Sequence, residues 1–194
     1  MRLGQAPRSG RTPLWHAAGV LLAILLGLAG ALVTLFVLAA LRPAHMVVSR
    51  RRRMAVRPDA AFAQVDDFHR WQAWSPWASM DPSMTPTIGG APRGVGATYA
   101  WRGNKKVGQG RMEITAADAP RRIEIALEFI QPFPAKNPTT FEFAPDGDGA
   151  LVTWSMTGRS PFGMRLMGLF INFDKLIGRD FERGLEAMER AAAA

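Results

Sequence analysis

Residues 161–190 read PFGMRLMGLFINFDKLIGRDFERGLEAMER, and the spacing of their apolar side chains decides the fold. From Met164 onward, Met167, Phe170, Phe173, Ile177, Phe181, Leu185 and Met188 recur at steps of three and four. That period places them on one stripe of an α-helix, with Arg165, Lys175, Arg179, Glu182, Arg183 and Glu186 off the stripe. Ser160-Pro161 supplies a start, since serine can cap a helix and proline is tolerated in its first turn. One helix is therefore predicted over 161–190. A stripe this long needs a surface to cover it, and the residues before it read as an antiparallel sheet.

Those strands come in series. Ala97, Tyr99 and Trp101 alternate, and Arg102-Gly103-Asn104-Lys105 is turn chemistry. In 107–115, Gly108 and Gly110 share a face with Met112 and Ile114. Ile123, Ile125, Leu127 and Phe129 alternate with Arg122, Glu124 and Glu128, and Pro132 and Pro134 end that strand. Phe141 and Phe143 flank Glu142; Asp146-Gly147-Asp148-Gly149 turns the chain; Val152, Trp154 and Met156 then face one way. Upstream, residues 47–56 are extended in character. Helical composition follows over 60–68 and 69–74, and a short strand fits near 85–88. A meander of strands closed by one long helix is an α+β domain. Glycines on an inward face should leave volume and bend the strand, as a sheet curled around a cavity requires.

Charge divides the chain unevenly. The formal net charge is +8, yet from Pro58 onward 15 Lys and Arg face 16 Asp and Glu, so the basic excess lies in the first 57 residues. There it flanks a run from Ala17 to Leu41 with no charged side chain, long enough to cross a bilayer with some tilt. The apolar core of a cleaved signal peptide is shorter, about 7–15 residues, so an uncleaved anchor is expected. Basic flanks of a membrane helix account for the charge better than a nucleic-acid surface does. Arg2, Arg8 and Arg11 precede the run, and the larger cluster of Arg42, Arg50 to Arg53 and Arg57 follows it. That asymmetry favours the cytoplasm for the C-terminal domain. The expected layout is a basic tail over 1–13, a transmembrane helix over 14–41, a linker over 42–46, the domain over 47–190 and a tail over 191–194.

Several chemistries are disfavoured at once. With no cysteine there is no disulfide, thiolate metal site or cysteine nucleophile. Only His69 of the three histidines lies within the domain, so a serine triad and a histidine metal centre both lack parts. Neither a metal nor a cofactor is expected. By alternation Arg111, Glu113 and Glu128 point outward, leaving Tyr99 as the inward ionisable group and a weak acid–base apparatus. Asp174 joins the candidates only if its helix turns it inward.

Val65-Asp66-Asp67-Phe68-His69-Arg70-Trp71, Trp74-Ser75-Pro76-Trp77 and Asp81-Pro82 resemble the opening helices of the polyketide cyclase/dehydrase-type branch of the SRPBCC (START-like) superfamily. Gly94-Val95-Gly96-Ala97, Trp101-Arg102-Gly103-Asn104, Gly108-x-Gly110-x-Met112, Val152-Thr153-Trp154-Ser155-Met156 and Asp180-Phe181-Glu182 extend the likeness over about residues 45–190. The resemblance implies a helix-grip fold: six or seven curved antiparallel strands around the C-terminal helix, with an apolar cavity between. Bacterial members similar to this chain often carry an N-terminal membrane helix, which implies an inner-membrane location. One departure is Arg50-Arg51-Arg52-Arg53, where a first strand should alternate.

The function expected is binding of a small hydrophobic or amphipathic molecule in that cavity, beside the lipid bilayer. Its lining would be Trp74, Trp77, Tyr99, Trp101, Gly110, Met112, Phe129, Trp154, Met156, Met167 and Phe170. The alternatives are a cyclase- or dehydratase-like enzyme built on Tyr99 and a carboxylate, and an interaction module with a collapsed core.

Overall fold

The computed structural model describes residues 14–194; the basic tail expected over 1–13 lies outside the described residues. Two compact units divide the chain, Met1–Arg42 and Pro43–Ala194. In the first, α1 (Leu14–Ala40) contains the apolar stretch Ala18–Ala40, whose side chains are exposed apart from the buried Ala39 and the half-buried Leu35. At about 1.5 Å per residue such a stretch reaches about 35 Å, past the roughly 30 Å hydrocarbon layer.

The second unit begins with β1 (His45–Met54), followed by α2 (Pro58–Asp66), a 3-10 helix (Phe68–Ala73) and α3 (Pro76–Met80). Then come β2 (Thr87–Gly90), β3 (Ala97–Arg102), β4 (Gln109–Asp118), β5 (Arg122–Gln131), β6 (Ala135–Lys136), β7 (Thr139–Asp146) and β8 (Gly149–Arg159). The strands form one antiparallel sheet in the order β1-β8-β7-β5-β4-β3-β2, with the two-residue β6 paired to β5. Inward residues follow the alternation of the sequence: Met112 and Ile114, Ile123 and Ile125, Phe141 and Phe143, Val152, Trp154 and Met156 are buried. Register shifts interrupt β4 against β5 at Gln109/Gly110 and Ile114/Ala116, and such bulges bend a strand.

The single helix expected over 161–190 is two. A short α4 (Phe162–Met167) ends at Gly168, and α5 (Phe173–Ala193) starts afresh. Its start is written in Asn172, whose side-chain oxygen accepts the Lys175 N–H at 2.9 Å and satisfies a donor the helix itself cannot. Periodicity therefore fails at the break. Ile177 is partly buried and Phe181, Leu185 and Met188 are fully buried, whereas Met167 and Phe170 are exposed at 48% and 75%.

The four arginines of β1 do not shorten the strand, which pairs with β8 along all ten residues. Arg50 and Arg52 share the face of the buried Val48 and Met54, and α5 supplies their partners. The Arg50 guanidinium donates to both Asp174 oxygens at 3.0 Å and to Glu182 at 2.8 Å; Arg52 donates to Glu189 at 2.7 Å. Gly178 gives the guanidinium room, because a Cβ there would collide with it. Arg53 pairs instead with Asp146.

This arrangement carries a pH signature. Arg50 holds the Asp174 carboxyl below its ordinary value, mainly by the hydrogen bond. Glu189 is lowered first by the Ala55 N–H, at 2.9 Å, and then by Arg52. A carboxylate depressed on folding contributes its stability above the unfolded value, about pH 4, and loses it as pH falls through the lower folded value. Urea midpoints of residues 43–194 should therefore fall below about pH 4. Arg50→Ala should flatten that fall and cost about 1 kcal/mol or less at neutral pH, since both carboxylates are largely solvated. An unchanged acid slope in the variant would show that Arg50 does not anchor the helix.

Candidate functional site

A run of aromatic rings links β3, the 3-10 helix and β8 to α5. Trp101 packs on Tyr99 (centroids 6.2 Å apart), Tyr99 on Trp71 (6.3 Å), Trp71 on Trp74 (4.7 Å) and Trp74 on Trp154 (5.7 Å). The run ends where Trp154 lies flat on Phe181, 4.0 Å apart and 3° from parallel, with Trp77 edge-on to both. Trp74, Tyr99, Trp154, Met112 and Met156 are buried, while Trp77, Trp101 and Phe129 are partly so. Nine of the eleven residues expected to line a cavity thus lie on or beside this interior; Met167 and Phe170 do not.

Gly110 is occupied differently from expectation. In place of open volume it has the Trp101 indole over it, with the Glu128 carbonyl close behind; a Cβ would meet both. Trp101 is itself fixed by donating to the Val107 carbonyl at 3.1 Å and by edge-on contact with Phe129. The glycine makes room for a ring of this chain.

The indole donors of the core separate into two kinds. Trp71 donates to the Val65 carbonyl (3.2 Å) and Trp74 to the Gln64 carbonyl (3.0 Å), so these rings are tied to α2. Trp154 Nε1 is buried with no acceptor among the described residues. An unpaired buried donor costs about 1–3 kcal/mol, which sets Trp154 apart from the other two. A second donor lies along the same run: the Tyr99 hydroxyl accepts from Gln72 Nε2 at 3.2 Å, leaving its own hydrogen to give. Burial raises the Tyr99 phenol above its usual value, partly opposed by Gln72, so at neutral pH it is a proton-bearing donor and a poor base.

Carboxylates do not converge on it. Arg111 and Glu128 form a cross-strand pair on the outer face at 2.7 Å, and Asp174 faces Arg50. Asp81 is the one buried carboxylate among the described residues. Its oxygens accept Ser83 Oγ–H at 2.6 Å, Asn104 N–H at 2.7 Å and Ser83 N–H at 3.2 Å, which ties it to the β3–β4 connection. Its titration is lowered first by the serine hydroxyl and then by Asn104. His69 is exposed and hydrogen-bonded to Asp67 at 2.8 Å. No group of three metal-ligating side chains occurs among the described residues.

Trp101, Tyr99 and Gly110 were legible as inward by alternation, whereas Gly108, expected on the same face, precedes β4 in the turn at φ 64° against the Gln131 carbonyl. Phe141, Phe181 and Gly184 belong to the same centre but were not singled out as site residues. Gly184 faces the Trp154 ring and Pro76 closely enough that a Cβ would press on both, a requirement visible only once helix and sheet are docked.

Comparison with solved structures finds the same fold in proteins of low identity. A Chromobacterium violaceum protein superposes with a TM-score of 0.57 at 13% identity, covering 76% of this chain and 97% of its own. A Mesorhizobium loti protein gives 0.56 at 15% identity, covering 75% and 96%. The Aha1 dimer from Colwellia psychrerythraea gives 0.54 at 13%, covering 76% and 96%. Comparison with curated proteins finds no match. A family model described as polyketide cyclase / dehydrase and lipid transport matches residues 45–193, the span of the sheet and both C-terminal helices. With a curved antiparallel sheet closed by α5 and this match over well above half its length, the chain belongs to the polyketide cyclase/dehydrase and lipid-transport family of the SRPBCC (START-like) superfamily.

Proposed function

We propose that this protein is a membrane-anchored binder of a small hydrophobic or amphipathic molecule, held among these aromatic rings. The observation that carries the reading is the buried Trp154 N–H without an acceptor. A hydrocarbon-rich ligand with one oxygen acceptor would satisfy it while meeting apolar surface elsewhere, which is the composition expected of a selective apolar pocket. Trp74, Trp77, Tyr99, Trp101, Met112, Phe129, Trp154 and Met156 would contact or border that molecule, and the Tyr99 hydroxyl offers a second donor. The family description includes lipid transport, which supports the ligand class.

Trp154→Phe tests the reading, because it keeps a ring against Phe181 and removes only the donor and some volume. Loss of one hydrogen bond to a neutral acceptor corresponds to about 0.5–1.5 kcal/mol, so affinity for a fluorescent fatty-acid ester should fall about 2- to 12-fold with the fold intact. Unchanged affinity would remove Trp154 from the site. The second reading is a solid core without a ligand, and the 4.0 Å stack of Trp154 on Phe181 favours it. On that reading neither protein binds the probe.

The anchor is the other half of the proposal. Its support is the length and hydropathy of Ala18–Ala40, and a signal sequence is the rival for the same stretch. Full-length chain should stay with membranes through alkaline carbonate, and the retained protein should still contain residues 14–40. A mature product beginning after Ala40 would contradict the anchor.

A further inference from the structure

We infer that one end of the domain is a docking surface for an anionic lipid bilayer; this rests on the anchored reading above. The register of the sheet defines that end. His45 of β1 lies opposite Arg159 of β8, and the Ser160 N–H donates to the Ala44 carbonyl at 2.7 Å. Thr139 of β7 pairs with Met156 of β8 and with Ile125 of β5, so the rest of β5 and the turn after it run toward the same end. Gln109 opposite both Gln131 and Arg102 brings the β3–β4 connection there too. The start of α4 follows Arg159 directly, and α5 begins at this end because Asp174 meets Arg50 while Glu189 meets Arg52 and Ala55.

Large apolar side chains are exposed here. Phe133 in the β5–β6 turn is 73% exposed and Phe170 in the α4–α5 turn is 75% exposed. Met167, Ile171 and Leu176 are exposed around Phe170, and α4 buries none of its residues. Between and beside them stand Lys105, Lys106, Lys136, Arg159 and Lys175, none of which takes part in a salt bridge among the described residues. Aromatic and aliphatic side chains interspersed with unpaired cations match the boundary between acyl chains and anionic headgroups. The opposite end has a different character, with the Asp146–Gly149 turn carrying exposed Asp148.

The tether selects a bilayer over other occupants. Only residues 41–44 separate the end of α1 from β1, a reach of at most about 18 Å from Ala40 to His45. So short a connection keeps the His45 end of β1 within reach of any bilayer that holds the preceding apolar segment. Docking there would also hold α4 and the Trp101 end of the aromatic run beside the lipid, where an apolar ligand would enter.

The chain has no cysteine, so single cysteines report each position cleanly. F133C, F170C, D148C and V33C full-length proteins, spin-labelled in 3:1 phosphatidylcholine–phosphatidylglycerol vesicles, would be compared for collision with oxygen and with an aqueous nickel chelate. The labels at 133 and 170 should favour oxygen over nickel several-fold more than the label at 148, as the label at 33 does. If 133 and 170 match 148 while 33 lies in lipid, the docking surface is overturned and the anchor stands. If 33 is also aqueous, the anchored reading falls and the docking surface with it. Spin–spin broadening at 170 that disappears on dilution with unlabelled chain, without oxygen preference, assigns the patch to a second copy and overturns the proposal.

Discussion

Phe181→Ala should destabilise residues 43–194 by about 3–5 kcal/mol, the cost of a buried aromatic truncated to alanine. The reason is position as much as size. Phe181 is 1% exposed, lies flat on Trp154 at 4.0 Å and meets Trp77 edge-on, so it joins helix to sheet at one end of the ring run. Phe181→Leu keeps most of the volume and should cost about 1.5 kcal/mol or less. Urea unfolding followed by tryptophan fluorescence measures both. Equal losses in the two variants would mean that the stack, and not the filled volume, holds α5; small losses in both would mean that the contact with the sheet is elsewhere.

Gly110→Leu should be nearly as damaging, at about 3 kcal/mol or more, beyond the 1–3 typical of overpacking. The new side chain meets the Trp101 ring and, behind it, the Glu128 carbonyl of the neighbouring strand, and a backbone atom cannot step aside cheaply. Either Trp101 leaves its bond to Val107 or β4 separates from β5. Circular dichroism and urea midpoints should both register the change. A stable, unaltered variant would show free volume above Gly110. For the same reason Gly110→Leu does not isolate ligand binding: a loss of ligand there follows from a damaged sheet, whereas Trp154→Phe leaves the sheet alone.

The parts of this fold legible in the sequence are those governed by one-dimensional period. The alternation of Tyr99, Met112, Ile123, Phe141 and Trp154 needed only the pleat, and the stripe of Ile177, Phe181, Leu185 and Met188 needed only the helical turn. The break at 168–172 overrode the second pattern. Met167 and Phe170 keep helical spacing by coincidence, and the local signals that mattered were Gly168 and the Asn172 cap. Arg50 to Arg53 defied alternation for a tertiary reason, since the partners that admit two of them to the helix-facing side of the sheet lie over a hundred residues away on α5. Gly178 and Gly184 were silent in sequence for the same cause: each is small because something from another element stands over it. Site residues followed the same rule. Inward direction could be read from strand parity, but the identity of the buried indole without an acceptor depends on which carbonyls α2 and the β3–β4 connection place beside Trp71, Trp74 and Trp101.

If the interior holds a small molecule, native mass spectrometry of the full chain released from detergent will detect it. A binder should carry a defined adduct that survives gentle release and is recovered by lipid extraction. It should be reduced in Trp154→Phe and retained in the surface variant Asp148→Asn. A bare chain mass in wild type, under conditions that keep the domain folded, would contradict binding and leave the ring run as a packed core.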